Sequence, residues 1–157
     1  MKTKKKNKFY FNYIEEINNI LNKIDHNKIE KLKKLINKCR NNRILVFGNG
    51  AGASIASHFA NDLSNITKIK THSFDNSAHL TCFANDYGFE NWVKKSIEIF
   101  ANKNDLIILL SASGNSKNMI KAAKYCKIKK LNFFSLTGFL KKNKLNKISK
   151  NFIWIDS

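Results

Sequence analysis

The sequence contains no proline, and only two of its 29 basic residues, Arg40 and Arg43, are arginine. Acidic residues number 11, so the formal net charge is +18. Arginine makes the bidentate contacts to bases and phosphates. It is nearly absent, and no aromatic ladder is interleaved with the lysines, so no nucleic-acid partner is expected. An anionic small-molecule substrate accounts for the same charge. The excess of lysine, with 23 asparagines and 19 isoleucines, is also a compositional bias. No apolar run approaches the roughly 20 residues that span a bilayer, so no membrane helix is expected. The basic start, MKTKKKNKFYFNYIEE, has no apolar h-region and no small-residue cleavage site. Export is therefore not expected. The three cysteines, Cys39, Cys82 and Cys126, are odd in number and widely spaced. They form neither a disulfide framework nor a metal-ligand spacing, and a reducing cytoplasm is expected.

A chain of 157 residues has room for one domain. Residues 1–8 read as a basic, disordered tail, 9–41 as N-terminal helices and 43–157 as the core. Phe9, Tyr13, Ile17, Ile20, Leu21 and Ile24 have helical spacing. Asn27 with Glu30 reads as a capping box opening a second helix, whose apolar face is Ile29, Leu32, Leu35, Ile36 and Cys39. Ile44–Phe47, Ile69–Phe74, Leu106–Leu110, Leu131–Leu136 and Phe152–Ile155 read as strands. The first and third are continuously apolar, as parallel strands buried on both faces are. Helices are expected at about Ala53–Asn65, Ser77–Asn85, Asn91–Ala101 and Lys117–Cys126. This alternation predicts a three-layer α/β sandwich with a mostly parallel sheet.

Two strand-to-helix junctions are rich in small and hydroxyl residues: Gly48-Asn49-Gly50-Ala51-Gly52 and Ser111-Ala112-Ser113-Gly114-Asn115-Ser116. Both should lie beyond the carboxyl ends of strands, where open α/β sheets bind ligands. Glycines allow close backbone approach, the next helix offers free N–H groups, and the serines add hydroxyls. The pattern fits a phosphate cradle, and equally a pair of ordinary tight turns. It is not a dinucleotide fingerprint: the third glycine comes one position early, and no acidic residue sits about 20 residues on. No Gly-Lys-Ser/Thr is present, which excludes a Walker loop. His58 and Asp62 share a helical face four residues apart. Such a pair can hold a metal, act as an acid/base couple, or form a plain polar face. Asn85-Asp86-Tyr87-Gly88 reads as a turn or a pocket wall, and His72 and His79 as structural or solvent-facing.

These segments together resemble the sugar isomerase (SIS) domain family, in particular its phosphoheptose isomerase branch. The likeness runs in order over residues 9–157. It rests on Gly48–Ser54, His58–Leu63, Asp75–Cys82, Asn85–Phe89, Ser111–Ser116 and Leu136-Thr137-Gly138. It implies a five-stranded parallel sheet flanked by helices in a flavodoxin- or Rossmann-like order. It also implies a homodimer or homotetramer with sites at subunit contacts. The implied activity is isomerisation of sedoheptulose 7-phosphate through an enediol(ate), for heptose in cell-surface polysaccharide. By the same likeness Ser111, Ser113, Asn115 and Ser116 hold the phosphate, and Asn49, Gly50, Ala51 and Gly52 line the sugar site. Asn85 and Asp86 lie near substrate. His58 and Asp62 are the catalytic pair and the two residues matching zinc ligands.

Three departures accompany the resemblance. Gly52 stands where the family loop carries serine, which removes one hydroxyl. Asp62 stands where the isomerases carry glutamate, a methylene shorter, and about 1 Å of misplacement can cost a hundredfold. The family also continues beyond Asp156-Ser157 into a helix carrying a Gln and an acid/base His. A slower isomerase is therefore expected from this chain. A phosphosugar-binding module without catalysis, or a structural protein of the same fold, are the alternatives.

Overall fold

The computed structural model describes the backbone of residues 2–157, with side chains from Lys8 onward. Twelve elements follow one another among the described residues: α1 (Lys2–Asn22), α2 (His26–Lys38), β1 (Arg43–Phe47), α3 (Ala51–Thr67), β2 (Lys70–Ser73), α4 (Ser77–Tyr87), α5 (Trp92–Phe100), β3 (Leu106–Ser111), α6 (Lys117–Lys129), β4 (Asn132–Thr137), α7 (Lys144–Ile148) and β5 (Phe152–Trp154). The five strands form one sheet in the order β2-β1-β3-β4-β5, every pair parallel. The expected α/β sandwich with a five-stranded parallel sheet is the observed one.

Both faces of the sheet are covered, and the strands divide their side chains between them with period two. Ile44 and Val46 of β1 pack with Ile108 of β3 against Ala56 and Ala60 of α3 and Leu32, Leu35 and Ile36 of α2. Leu45 and Phe47 pack with Ile107 and Leu109 against Trp92, Val93 and Ile97 of α5 and Met119, Ala122 and Ala123 of α6. Two apolar faces on one strand explain why β1 and β3 read as unbroken apolar runs. Below the sheet, buried Asp105 accepts hydrogen bonds from the Arg43 guanidinium (3.0 Å), Arg43 N–H (2.9 Å) and Asn102 N–H (2.8 Å). This pairing ties the lower ends of β1 and β3 together.

Several local expectations are corrected. The helix of residues 9–24 begins at Lys2, so the basic stretch read as a tail is helical; Met1 lies outside the described residues. Lysine is a good helix former, and no proline or glycine interrupts the stretch. The cap of α2 is Asp25, which accepts the Asn27 N–H at 3.0 Å, rather than Asn27. Aspartate caps at least as well as asparagine and stands two residues earlier. α4 runs two residues past Asn85, to Tyr87, and ends where Gly88 turns to φ 80°. The short α7 was not foreseen: five residues are too few for a period to show, and buried Asn143 caps it by accepting the Asn146 N–H at 2.8 Å. α1 leaves its aromatic residues in solvent, with Phe9 67% and Phe11 71% exposed.

Candidate functional site

The sheet order places its topological switch between β1 and β3, because the chain leaves β1 first towards β2 and later returns to β3 on the opposite side. A crevice opens there above the carboxyl ends of the strands. The first loop leaves β1 at Gly48. A Cβ at Gly48 would overlap the carbonyl of Gly52, so α3 can start this close to the strand only if residue 48 is glycine. Gly50 adopts φ 53° and ψ −126°, a conformation closed to other residues. The turn closes with the Gly52 N–H donating to the Asn49 carbonyl at 2.9 Å. It leaves the Asn49 side chain at the mouth of the crevice.

The second loop joins β3 to α6. Buried Ser111 donates its hydroxyl to Ser116 Oγ at 3.3 Å. Ser113 Oγ accepts the Asn115 N–H at 3.1 Å. Gly114, at φ 61°, is pressed against the Asn143 side chain with no room for a Cβ. Asn115 Oδ1 accepts the Lys144 N–H at 3.2 Å, and the Gly114 carbonyl accepts the Leu145 N–H at 2.9 Å. α7 therefore buttresses this loop from behind. Gly138, after β4, donates its N–H to the Ala112 carbonyl at 2.7 Å. Ser116 is the N-cap residue of α6, yet its side chain caps nothing. It lines the crevice with Lys117 and Asn118, the first two residues of a 13-residue helix.

The two loops meet in an open cleft of about 470 Å³, lined by Asn49, Phe89, Glu90, Ser116, Lys117 and Asn118. Asn49 and Asn118 exchange amide hydrogen bonds in its wall, at 3.1 and 2.9 Å. Glu90 forms the far wall. It is anchored by Lys121 Nζ, 2.5 Å from Glu90 Oε1 and 3.0 Å from Asn91 Oδ1. The Lys121 hydrogen bond holds the Glu90 carboxyl below the usual carboxylate range. Serine hydroxyls, helix N–H groups and the Lys117 ammonium on one side suit an anionic oxygen cluster.

The residues singled out from the sequence thus divide. Asn49 and Ser116 line the cleft, Ser111 is bonded to Ser116, and Gly50 and Gly52 shape the first loop. Ala51 is the exposed first residue of α3. Asn115 spends its amide within the second loop, donating to the Ser113 carbonyl and accepting from Lys144. Asn85 and Asp86 sit on the exposed last turn of α4, bonded to each other at 3.0 Å, and do not line the cleft. His58 and Asp62 come together on α3 with Nε2 and Oδ2 3.3 Å apart. Their side chains are 82% and 58% exposed, outside the cleft lining. As a zinc site they supply two donors where proteins use three or four. Among the described residues no group of three His, Cys, Asp or Glu side chains gathers to complete one. The pair by itself offers two of the donors that such a site would need.

Sequence reasoning missed Phe89, Glu90, Lys117 and Asn118 as lining residues. Lys117 and Asn118 directly follow the serine loop, so the N-terminal turn of α6 was the available signal. Glu90 left none, because its place is set by the α4–α5 connection and by Lys121. His79 is structural, as expected. Its Nε2 lies 2.8 Å from Ser96 Oγ, whose own proton goes to the Trp92 carbonyl, and its ring stacks on Phe83 with centroids 4.0 Å apart.

Comparison with known proteins agrees with this geometry. The SIS domain family matches residues 10–138. The phosphoheptose isomerase of Helicobacter pylori strain P12 is 42% identical over 103 residues, which cover 61% of this chain and 53% of that protein. That of Cytophaga hutchinsonii is 36% identical over 101 residues, with the same coverage of both chains. The matched part thus spans about half the length of these curated relatives. The structure of a phosphoheptose isomerase from Neisseria gonorrhoeae superposes with a TM-score of 0.81 at 21% identity, covering 99% of this chain and 86% of that one. With the fold, the family match and these relatives in agreement, the chain belongs to the SIS domain family and is closely related to its phosphoheptose isomerase branch.

Proposed function

We propose that the chain isomerises a phosphorylated ketose, with sedoheptulose 7-phosphate the substrate suggested by its phosphoheptose isomerase relatives. The observation that carries this reading is the cleft at the β1/β3 switch point. There a serine loop, a helix N-terminus whose N-cap hydroxyl makes no capping bond, and the Asn49 loop converge on one space of about 470 Å³. In this reading the phosphate sits against Ser111, Ser113, Ser116 and the α6 N-terminus. Asn49 and the Gly50–Gly52 backbone hold the sugar chain. Asp62 is the base that moves a proton between adjacent sugar carbons through an enediolate, with His58 beside it.

His58 and Asp62 are exposed on α3, so they reach a substrate in the second half of the site at a contact between copies of the chain. The exposed aromatic face of α1 is the surface on which such a homodimer or homotetramer would pack. The test is a coupled assay of the 157-residue chain with sedoheptulose 7-phosphate, alongside calorimetric binding of the same sugar. Product formation that follows enzyme concentration supports the reading. Absence of turnover would overturn it, and binding without turnover would leave a phosphosugar-binding role only.

A further inference from the structure

We propose that Asn118 is the positioning residue of the cleft: it frees the Ser116 hydroxyl for ligand and fixes which face of the Asn49 carboxamide the ligand meets. Asn118 is 2% exposed, and its carboxamide is engaged on both atoms. Oδ1 accepts the Met119 N–H at 2.9 Å and Asn49 Nδ2 at 3.1 Å, while Nδ2 donates to Asn49 Oδ1 at 2.9 Å.

The first consequence concerns Ser116. An N-cap serine ordinarily turns its oxygen back onto the N–H of the second or third helical residue. In α6 the third helical residue is Met119, and its N–H is already taken by Asn118 Oδ1. Ser116 makes no capping bond; its oxygen accepts the Ser111 hydroxyl at 3.3 Å, and its own proton is left for the cleft. Asn118 has taken over the capping task from one residue inside the helix.

The second consequence concerns Asn49. A carboxamide can turn over and exchange its oxygen and nitrogen, so its polarity must be set by a neighbour. The Met119 N–H is a donor only and demands an oxygen. That fixes Asn118 Oδ1, which fixes Asn118 Nδ2 opposite Asn49 Oδ1, which leaves Asn49 Nδ2 facing Asn118 Oδ1. Each amide nitrogen carries two protons, and the pairing uses one from Asn49. The remaining Asn49 N–H is a donor at the cleft wall, suited to a hydroxyl or carbonyl oxygen of a sugar. A backbone N–H in α6 thereby sets the polarity of a side chain in the loop after β1.

This inference rests on the phosphosugar reading for its ligand, and its test separates the two. Calorimetry with sedoheptulose 7-phosphate is run on the wild type, Asn49→Ala, Asn118→Leu and the double variant. Asn49→Ala is expected to weaken binding about tenfold in the wild-type background and less than twofold once Asn118 is leucine. Equal factors in both backgrounds, or wild-type affinity in Asn118→Leu, would overturn the assignment. If the wild type binds no phosphosugar, the functional reading fails and the side-chain amide ¹H–¹⁵N spectrum decides this inference alone. The spectrum also decides if Asn118→Leu does not fold, because Asn118→Asp keeps an acceptor for Met119 while placing an oxygen against Asn49 Oδ1. The Asn49 amide signals, identified by their loss in Asn49→Ala, should move in Asn118→Asp. Signals left in place would contradict it.

Discussion

The cleft between β1 and β3 and the outward face of α3 carry the two halves of the proposed chemistry, and they are built in opposite ways. In the cleft, side chains are held by neighbours: Asn49 by Asn118, Ser111 by Ser116, the serine loop by Asn143 and α7. On α3, His58 and Asp62 bond only to each other among the described residues and stand in solvent. Binding a phosphate needs donors fixed before the ligand arrives. Proton transfer needs a base within about 3 Å of a carbon-bound proton, which an exposed helix face achieves only when another surface closes over it. Under the proposed function, ligand capture would fall to the single chain and catalysis to the assembled one.

The largest expected effect breaks the cleft half. Replacing Ser111, Ser113 and Ser116 by alanine removes three hydroxyls from a charged ligand, worth about 100-fold or more in phosphosugar affinity. The fold should persist, since the loop is held by Gly114, Asn115 and the Gly138 N–H rather than by those hydroxyls alone. Calorimetry showing unchanged affinity would remove the phosphate from this loop.

The next effect concerns the α3 half. Light scattering at tens of micromolar should return two or four times the chain mass. A monomer would leave His58 and Asp62 without the second surface they need.

A smaller effect comes from the wall beneath α4. Burial among Phe74, Phe83, Trp92 and Phe100 pushes the His79 imidazole below its ordinary 6.5. The folded state therefore keeps His79 neutral while the unfolded chain takes up the proton. This contribution is full above about pH 6.5 and is lost as pH falls below it, towards the depressed folded value. Denaturant midpoints between pH 7 and pH 5 should fall less in His79→Gln, which keeps a donor for Ser96 and cannot titrate. Parallel falls in both proteins would contradict this.

The smallest effect sharpens the cleft. A Cβ on Gly52 would meet only the Leu110 carbonyl oxygen, at 3.9 Å, so Gly52→Ser fits without strain. It should change stability by about 1 kcal/mol or less and tighten phosphosugar binding a few-fold, as measured by melting and calorimetry. A large loss of stability would mean the loop cannot accept the hydroxyl.

The fold was legible because its signals are local. Ile44–Phe47 and Leu106–Leu110 are apolar without alternation, which only a strand covered on both faces requires, and each runs straight into a glycine- or serine-rich turn. The serine loop and the glycine loop were legible for the same reason. The far wall was not. Glu90 reaches the cleft through a salt bridge to Lys121, 31 residues away, and Asn118 meets Asn49 across 69 residues. The first pairing depends on how α5 packs against α6 and the second on the register of β1 against β3, and no spacing encodes either. Asn85 and Asp86 looked like a loop because polar residues precede Gly88, yet the glycine ends α4 rather than opening a longer turn.

In the proposed reaction Asp62 is the base that moves a proton between adjacent sugar carbons. The direct measurement is proton NMR of sedoheptulose 7-phosphate in D2O with the wild type and Asp62→Asn. Deuterium should enter at sugar carbon 1 or 2 with the wild type. In Asp62→Asn the exchange should slow by about 100-fold or more while phosphosugar affinity is kept. Binding without exchange in the wild type, or exchange that Asp62→Asn leaves untouched, would contradict it.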